Sequence, residues 1–167
     1  MSDQSEANAE GIDFAVVAYR EEGVWQVEQI TPEKIEDLDS LVAELRRWPG
    51  DGGALGMLSI DEDFFLLVRV TGGHTKVLLS DVTAALDWPI ARSAVDFLEI
   101  PLPEAEDEEE QVPAGDPGIL ADLGLGVMDM GVMLDDFDLY PDELLSDIAV
   151  RLGFGAQFDE AAGVPAP

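Results

Sequence analysis

The sequence contains no cysteine and a single histidine, His74, among its 167 residues. Disulfides, cysteine nucleophiles, zinc clusters and multi-histidine metal sites are therefore outside its chemistry. Positive charge is scarce too: 8 Lys and Arg stand against 37 Asp and Glu, a formal charge of −29 at pH 7. Nucleic-acid binders gain affinity by bringing Lys and Arg to phosphates and releasing counterions, so this balance argues against direct binding of DNA or tRNA. No apolar run approaches the roughly 20 residues of a membrane span, and the acidic N-terminal stretch lacks the basic region of a signal peptide. A soluble, cytoplasmic protein without membrane contact is expected. What is present is an ordinary apolar content of 47%, so acidity has not displaced the core.

The apolar pattern changes period several times, and each change marks an element. Residues 1–11 are polar and aperiodic and read as a disordered leader. Phe14 to Tyr19 is a continuous apolar run, the mark of a strand covered on both faces. Val24 to Ile30 alternates, with Trp25 and Val27 between Gln26 and Glu28, as a half-exposed edge strand does. Thr31-Pro32-Glu33 offers a helix start, and Ile35, Leu38, Leu41, Val42 and Leu45 form one stripe that ends by Trp48-Pro49-Gly50. Three strands follow at 54–60, 64–70 and 75–80, separated by Asp61-Glu62-Asp63 and Thr71-Gly72-Gly73-His74. Ser80 or Asp81 then caps a second helix, kinked at Pro89 and running to Leu98.

The element order β-β-α-β-β-β-α predicts an α+β fold with an antiparallel five-stranded sheet and packed helices. By analogy of order it is profilin-like, longin-like or Roadblock-like. The expected organisation is an α+β domain over 12–99, an acidic Pro-rich linker over 100–117, a small helical region over 118–163 and a disordered tail over 164–167. Six of the seven residues Glu104 to Glu110 are acidic and Pro101, Pro103, Pro113 and Pro117 bracket them, a composition with nothing to offset the entropy of ordering. Residues 1–98 carry 19 acids and 7 bases, residues 99–167 carry 18 and 1. The C-terminal part is the more anionic.

Carboxylates in such number raise the question of a metal. Asp135, Asp136 and Asp138 cluster outside the linker, but as a calcium loop the segment places Pro141 where a glycine must turn. Asp61 and Asp63, between two strands, raise the same question, and a solvated hairpin turn is the better reading. The Gly50–Gly56 stretch lacks the Lys-Ser/Thr and the following helix of a phosphate cradle and reads as a turn. His74 has no nucleophile pattern near it. Trp48 and Trp88 each precede a proline at a helix end or kink; core packing accounts for such rings, and partial exposure would make them contact anchors.

Several segments together are familiar. Gly53-Ala54-Leu55-Gly56 leads into Asp61-Glu62-Asp63-Phe64-Phe65; Leu79-Ser80-Asp81-Val82 runs on to Leu86-Asp87-Trp88-Pro89; Gly115-Asp116-Pro117-Gly118 precedes Ile119 to Leu125. With Asp138-Leu139-Tyr140-Pro141-Asp142 and Arg151-Leu152-Gly153-Phe154-Gly155, the chain resembles the actinobacterial family of tRNA adenosine deaminase-associated proteins. The resemblance spans Phe14 to Phe158 apart from the acidic linker, and it implies a connection with adenosine-to-inosine tRNA editing but no catalytic residues. The chain is not itself the deaminase, whose zinc and metal-bound water require a His-x-Glu and a Pro-Cys-x-x-Cys that are absent.

These readings lead to a non-enzymatic acidic accessory protein without a cofactor, meeting a basic protein partner of which the tRNA adenosine deaminase is the candidate. The contact candidates are Trp48, Trp88, Asp135, Asp136, Asp138, Leu139 and Tyr140. A self-associating, longin-like or Roadblock-like homodimeric scaffold is the alternative, followed by a divalent-metal protein using Asp61, Asp63, Asp136 and Asp138.

Overall fold

Two consecutive runs, Ala54–Ile60 and Phe64–Thr71, contain hardly a residue that water could claim, and a strand of that composition must be covered on both faces. The computed structural model describes residues 12–31, 35, 37–48, 53–61, 63–86, 88–100, 113–135 and 140–162. Its centre is a mixed α+β arrangement around one antiparallel sheet. The strands are β1 (Ile12–Glu21), β2 (Val24–Gln29), β3 (Ala54–Ile60), β4 (Phe64–Thr71), β5 (His74–Leu79) and β6 (Ala114–Gly115), in the spatial order β2-β1-β3-β4-β5-β6. Register is continuous across the middle: Ala18 faces Leu55, Leu55 faces Arg69, and Arg69 faces Lys76.

Because side chains alternate along a strand, the sheet sorts its apolar residues into two cores. Ala15, Val17, Tyr19, Leu58, Ile60, Phe64, Leu66, Val68, Val77 and Leu79 point to the first. Covering them are α1 (Leu38–Leu45), a 3-10 turn over Val82–Leu86 and α2 (Pro89–Phe97). Phe14, Val16, Ala18, Leu55, Met57, Phe65, Leu67 and Leu78 point to the second core. It is closed by α3 (Val127–Leu134), α4 (Pro141–Leu152), α5 (Gly155–Ala162) and the turn around Ile119 and Leu120.

Local chemistry sets the boundaries. Asp37 caps α1 by accepting from the Ser40 amide at 2.9 Å, while the Ser40 hydroxyl accepts from the Asp37 amide at 3.0 Å, a reciprocal capping box. The α-helix thus begins later than the Thr31-Pro32 signal suggested, and residues 32–34 of that signal lie outside the described residues. Ser93 of α2 joins the two covering helices, accepting from the Leu38 amide and donating to the Ile90 carbonyl, each at 2.8 Å. Asp81 caps the 3-10 turn by accepting from the amide and hydroxyl of Thr83, and Pro89 opens α2 at a position where no amide is required.

The sheet has six strands where the element order predicted five. The sixth, Ala114–Gly115, comes from the stretch read as linker and pairs with Leu78 and Leu79 at the outer edge of β5. Two residues leave no alternation to detect, and the prolines around them masked the signal. At the opposite edge, β2 has the half-exposed pattern expected of it.

Candidate interaction surface

The inside of the protein is almost free of charge. Among the described residues the buried polar or charged positions are Ser59, Arg69, Asp81 and Thr83. Asp81 is consumed as a cap, so the other described carboxylates lie at or near the surface. The negative charge of the described residues is therefore carried at or near the surface, where its field reaches over a Debye length, about 8 Å at physiological salt.

Arg69 is the exception, and it further reduces the cations available outside. It sits in β4 on the second face, 5% exposed, and forms a two-pronged ion pair with Asp122. Its Nη1 donates to Asp122 Oδ1 and, at 3.1 Å, to the Ile119 carbonyl, while its Nη2 donates to Asp122 Oδ2 at 2.9 Å. The hydrogen bonds from Arg69 hold the Asp122 carboxyl below its ordinary range, outweighing the opposing effect of partial burial, with the charges of Arg69 and Lys76 adding to the depression. Lys76, the neighbour of Arg69 across the β4–β5 ladder, approaches Asp116 at 3.9 Å. The residues around 116–122 are thus pinned to the sheet by charge.

At the β2 edge, the Trp25 ring packs on Phe154 with centroids 4.7 Å apart, and the Arg20 guanidinium lies over it at 5.3 Å. Gln29 donates to the Ala161 carbonyl at 2.6 Å. These contacts tie α5 and the α4–α5 turn to the edge strand. Nearby, burial raises the Tyr19 phenol above its usual value, assisted by the negative charge of Glu21 and Glu28.

The structure distributes the sequence-derived contact candidates over two regions. Trp48 is half-buried against the first core, tilted 31° to Tyr19 at 5.4 Å. Trp88 is also half-buried there, 6.4 Å from Phe64, and its carbonyl accepts from Arg92 at the start of α2. Asp135 is exposed at the C-terminal end of α3, and Tyr140, 59% exposed, precedes α4. Asp136, Asp138 and Leu139 lie outside the described residues. Among the described residues no three His, Asp or Glu side chains converge as a metal site, and no helix is long and apolar enough to cross a membrane. Asp61 is exposed in the turn before β4, and His74 is exposed as the first residue of β5.

Two features escaped the sequence reading. Arg69 is the one charged residue within the apolar run 64–70, and a charge placed there signals a buried partner. The second is α3, where Met130 and Met133 are buried while Val127, Met128 and Val132 are 52, 85 and 71% exposed. Its composition, apolar nearly all round, was the available signal.

No solved structure matches the chain. A relative from Mycobacterium tuberculosis, Protein Rv3753c, is 40% identical over 145 residues, covering 86% of this chain and 84% of the relative. The family described as Rv3753c-like tRNA adenosine deaminase-associated protein matches residues 13–155, from the start of β1 to the start of α5. The match takes in the six strands and the covering helices up to the end of α4, and the chain belongs to this family.

Proposed function

We propose that the protein is a non-catalytic accessory protein that binds a basic protein partner in the cytoplasm, the tRNA adenosine deaminase of its family's description being that partner. The observation carrying this reading is the segregation of charge: 37 carboxylates against 8 cations in the sequence, with Arg69 drawn into the interior and Asp81 the buried carboxylate among the described residues. An enzyme that acts on tRNA presents a cationic surface to its substrate, and an anionic exterior is complementary to such a surface. Opposite fields steer encounter, and apolar contacts then hold the complex. The acidic run Glu104–Glu110 and the carboxylates at Asp135, Asp136 and Asp138 would supply steering, and Trp48, Trp88, Leu139 and Tyr140 the contact.

The test is a calorimetric titration of the full chain with the tRNA adenosine deaminase of the same genome at near-physiological salt. Saturable binding that weakens as salt rises is expected. Lack of association at tens of micromolar overturns the reading. So does turnover of a small substrate, or tight tRNA binding, by the purified chain alone.

A self-associating scaffold is the second reading, favoured by β2, whose outer edge pairs with no other strand among the described residues. Light scattering that reports a monomer at all concentrations removes it.

A further inference from the structure

Helix α3 presents more apolar surface to water than its packing explains. Six of its eight residues are apolar, yet only Met130 and Met133 are buried, with Leu134 partly buried against the second core. At helical spacing, Met128, Gly131, Val132 and Asp135 share the outward face. Met128 and Val132 are among the most exposed large apolar side chains described. A helix apolar on both sides calls for cover on both.

Gly131 is a second, independent oddity. Glycine in a helix interior costs about 1 kcal/mol relative to alanine, and here the fold does not require it. A Cβ at Gly131 would meet nothing within 4 Å, and its φ is not positive. The glycine instead leaves a flat place between Met128 and Val132, where another backbone can approach closely. Methionine beside it is unbranched and adapts its shape to what lies against it.

The electrostatic surroundings select the occupant. From Ser93 to Val150 the sequence contains 17 acidic residues and no Lys, Arg or His. Asp129 flanks the outward face and Asp135 ends it, both exposed. A second copy would bring its own charge of −29 and the same carboxylates to the contact, a like-charge juxtaposition that opposes pairing. We propose that the Met128–Gly131–Val132 face of α3 docks a cationic amphipathic segment of another protein, with apolar side chains on the methionine and valine and flanking Lys or Arg beside Asp129 and Asp135. This rests on the reading above that the partner is basic and adds the surface that receives it.

The experiment uses the full chain at about 0.15 M salt, where exposed charges beyond roughly 8 Å are screened. The first probe is a synthetic Lys/Leu peptide of about five helical turns with its leucines on one face, compared with a scrambled peptide of equal charge. The ordered peptide is expected to shift the Met128 and Val132 methyl resonances saturably, and the scrambled peptide to bind more weakly. The double variant Met128→Asp, Val132→Asp changes only exposed side chains, so its circular dichroism should match the parent while its peptide affinity falls at least about tenfold. Gly131→Ala should raise Tm by about 1–3 °C while weakening the peptide. Equal binding of both peptides, unchanged affinity of the double variant, or self-association that the double variant abolishes would each overturn the proposal. The second probe is the deaminase. If it binds parent and double variant alike, this surface is wrong and the accessory role stands; if the peptide docks as expected and the deaminase does not bind, the outcome is reversed.

Discussion

Replacing Asp122 by alanine tests whether a scarce cation is being used to fasten the C-terminal segments to the sheet. The substitution deletes both carboxylate acceptors of Arg69 and leaves the Ile119 carbonyl at 3.1 Å. A charge-assisted hydrogen bond contributes about 1.5–3 kcal/mol, and losing one partner of a buried pair costs about 3–5 kcal/mol. Here Arg69 is 6% exposed at its side chain but Asp122 is 64% exposed, so water can reach the vacated side and the cost falls to about 2 kcal/mol. For a chain of this length that is a Tm lower by about 4–8 °C, read by calorimetry or circular dichroism. Asp122→Asn keeps one acceptor and should lose about half as much. Combining Asp122→Ala with Arg69→Met should recover part of the loss, because an apolar side chain needs no partner. The pH dependence has a definite sign. The folded-state pKa of Asp122 is depressed, so its contribution is complete above the unfolded value of about 4 and disappears as pH falls through the lower folded value. The stability gap between parent and variant should be flat from pH 7 to about 5 and close in stronger acid. A loss below about 0.5 kcal/mol at pH 7, or a gap that widens on acidification, would refute this account of the pair.

Phe158 is fully buried in α5 with its ring edge-on to Phe14 at 5.5 Å; Phe158→Ala should cost about 3–5 kcal/mol in urea unfolding, and a loss under 1 kcal/mol would mean that α5 contributes little to the second core. Gly53 enters β3 with φ +86°, and a Cβ there would stand 2.0 Å from the Val70 carbonyl oxygen. Gly53→Ala should therefore cost more than about 2 kcal/mol, measured the same way, and an unchanged midpoint would contradict the positive φ.

Most strands and helices were legible because burial is periodic. The run from Phe14 to Tyr19 announced a strand covered on both faces, and Trp25 and Val27 announced a half-exposed one. Pro89 was read as a kink within one helix, whereas the structure has a 3-10 turn over Val82–Leu86 and a separate α-helix that Pro89 opens. Ala114–Gly115 was not legible, since pairing there depends on the β5 edge being in place rather than on any local pattern. The capping box at Asp37 and Ser40 went unread, and the Thr31-Pro32-Glu33 start that was read falls largely on residues outside the described ones. Of the proposed contact residues, Asp135 and Tyr140 were named in the sequence for charge and aromaticity, and both are exposed. Met128 and Val132 were not named, because a short apolar helix looks the same in sequence whether both of its sides are covered or one is left to solvent.

The second core has a bearing on how the chain can be cut. Its floor is laid by β1, β3, β4 and β5, and its roof is built from residues from Ile119 onward. A product halted before Gly118 would carry Phe14, Val16, Met57, Phe65, Leu67 and Leu78 with nothing above them, a greasy plate of the kind that drives aggregation. Premature stops and proteolytic trimming in that stretch should thus behave as complete losses, and soluble material in a cell extract should be of full length or missing its roof only transiently.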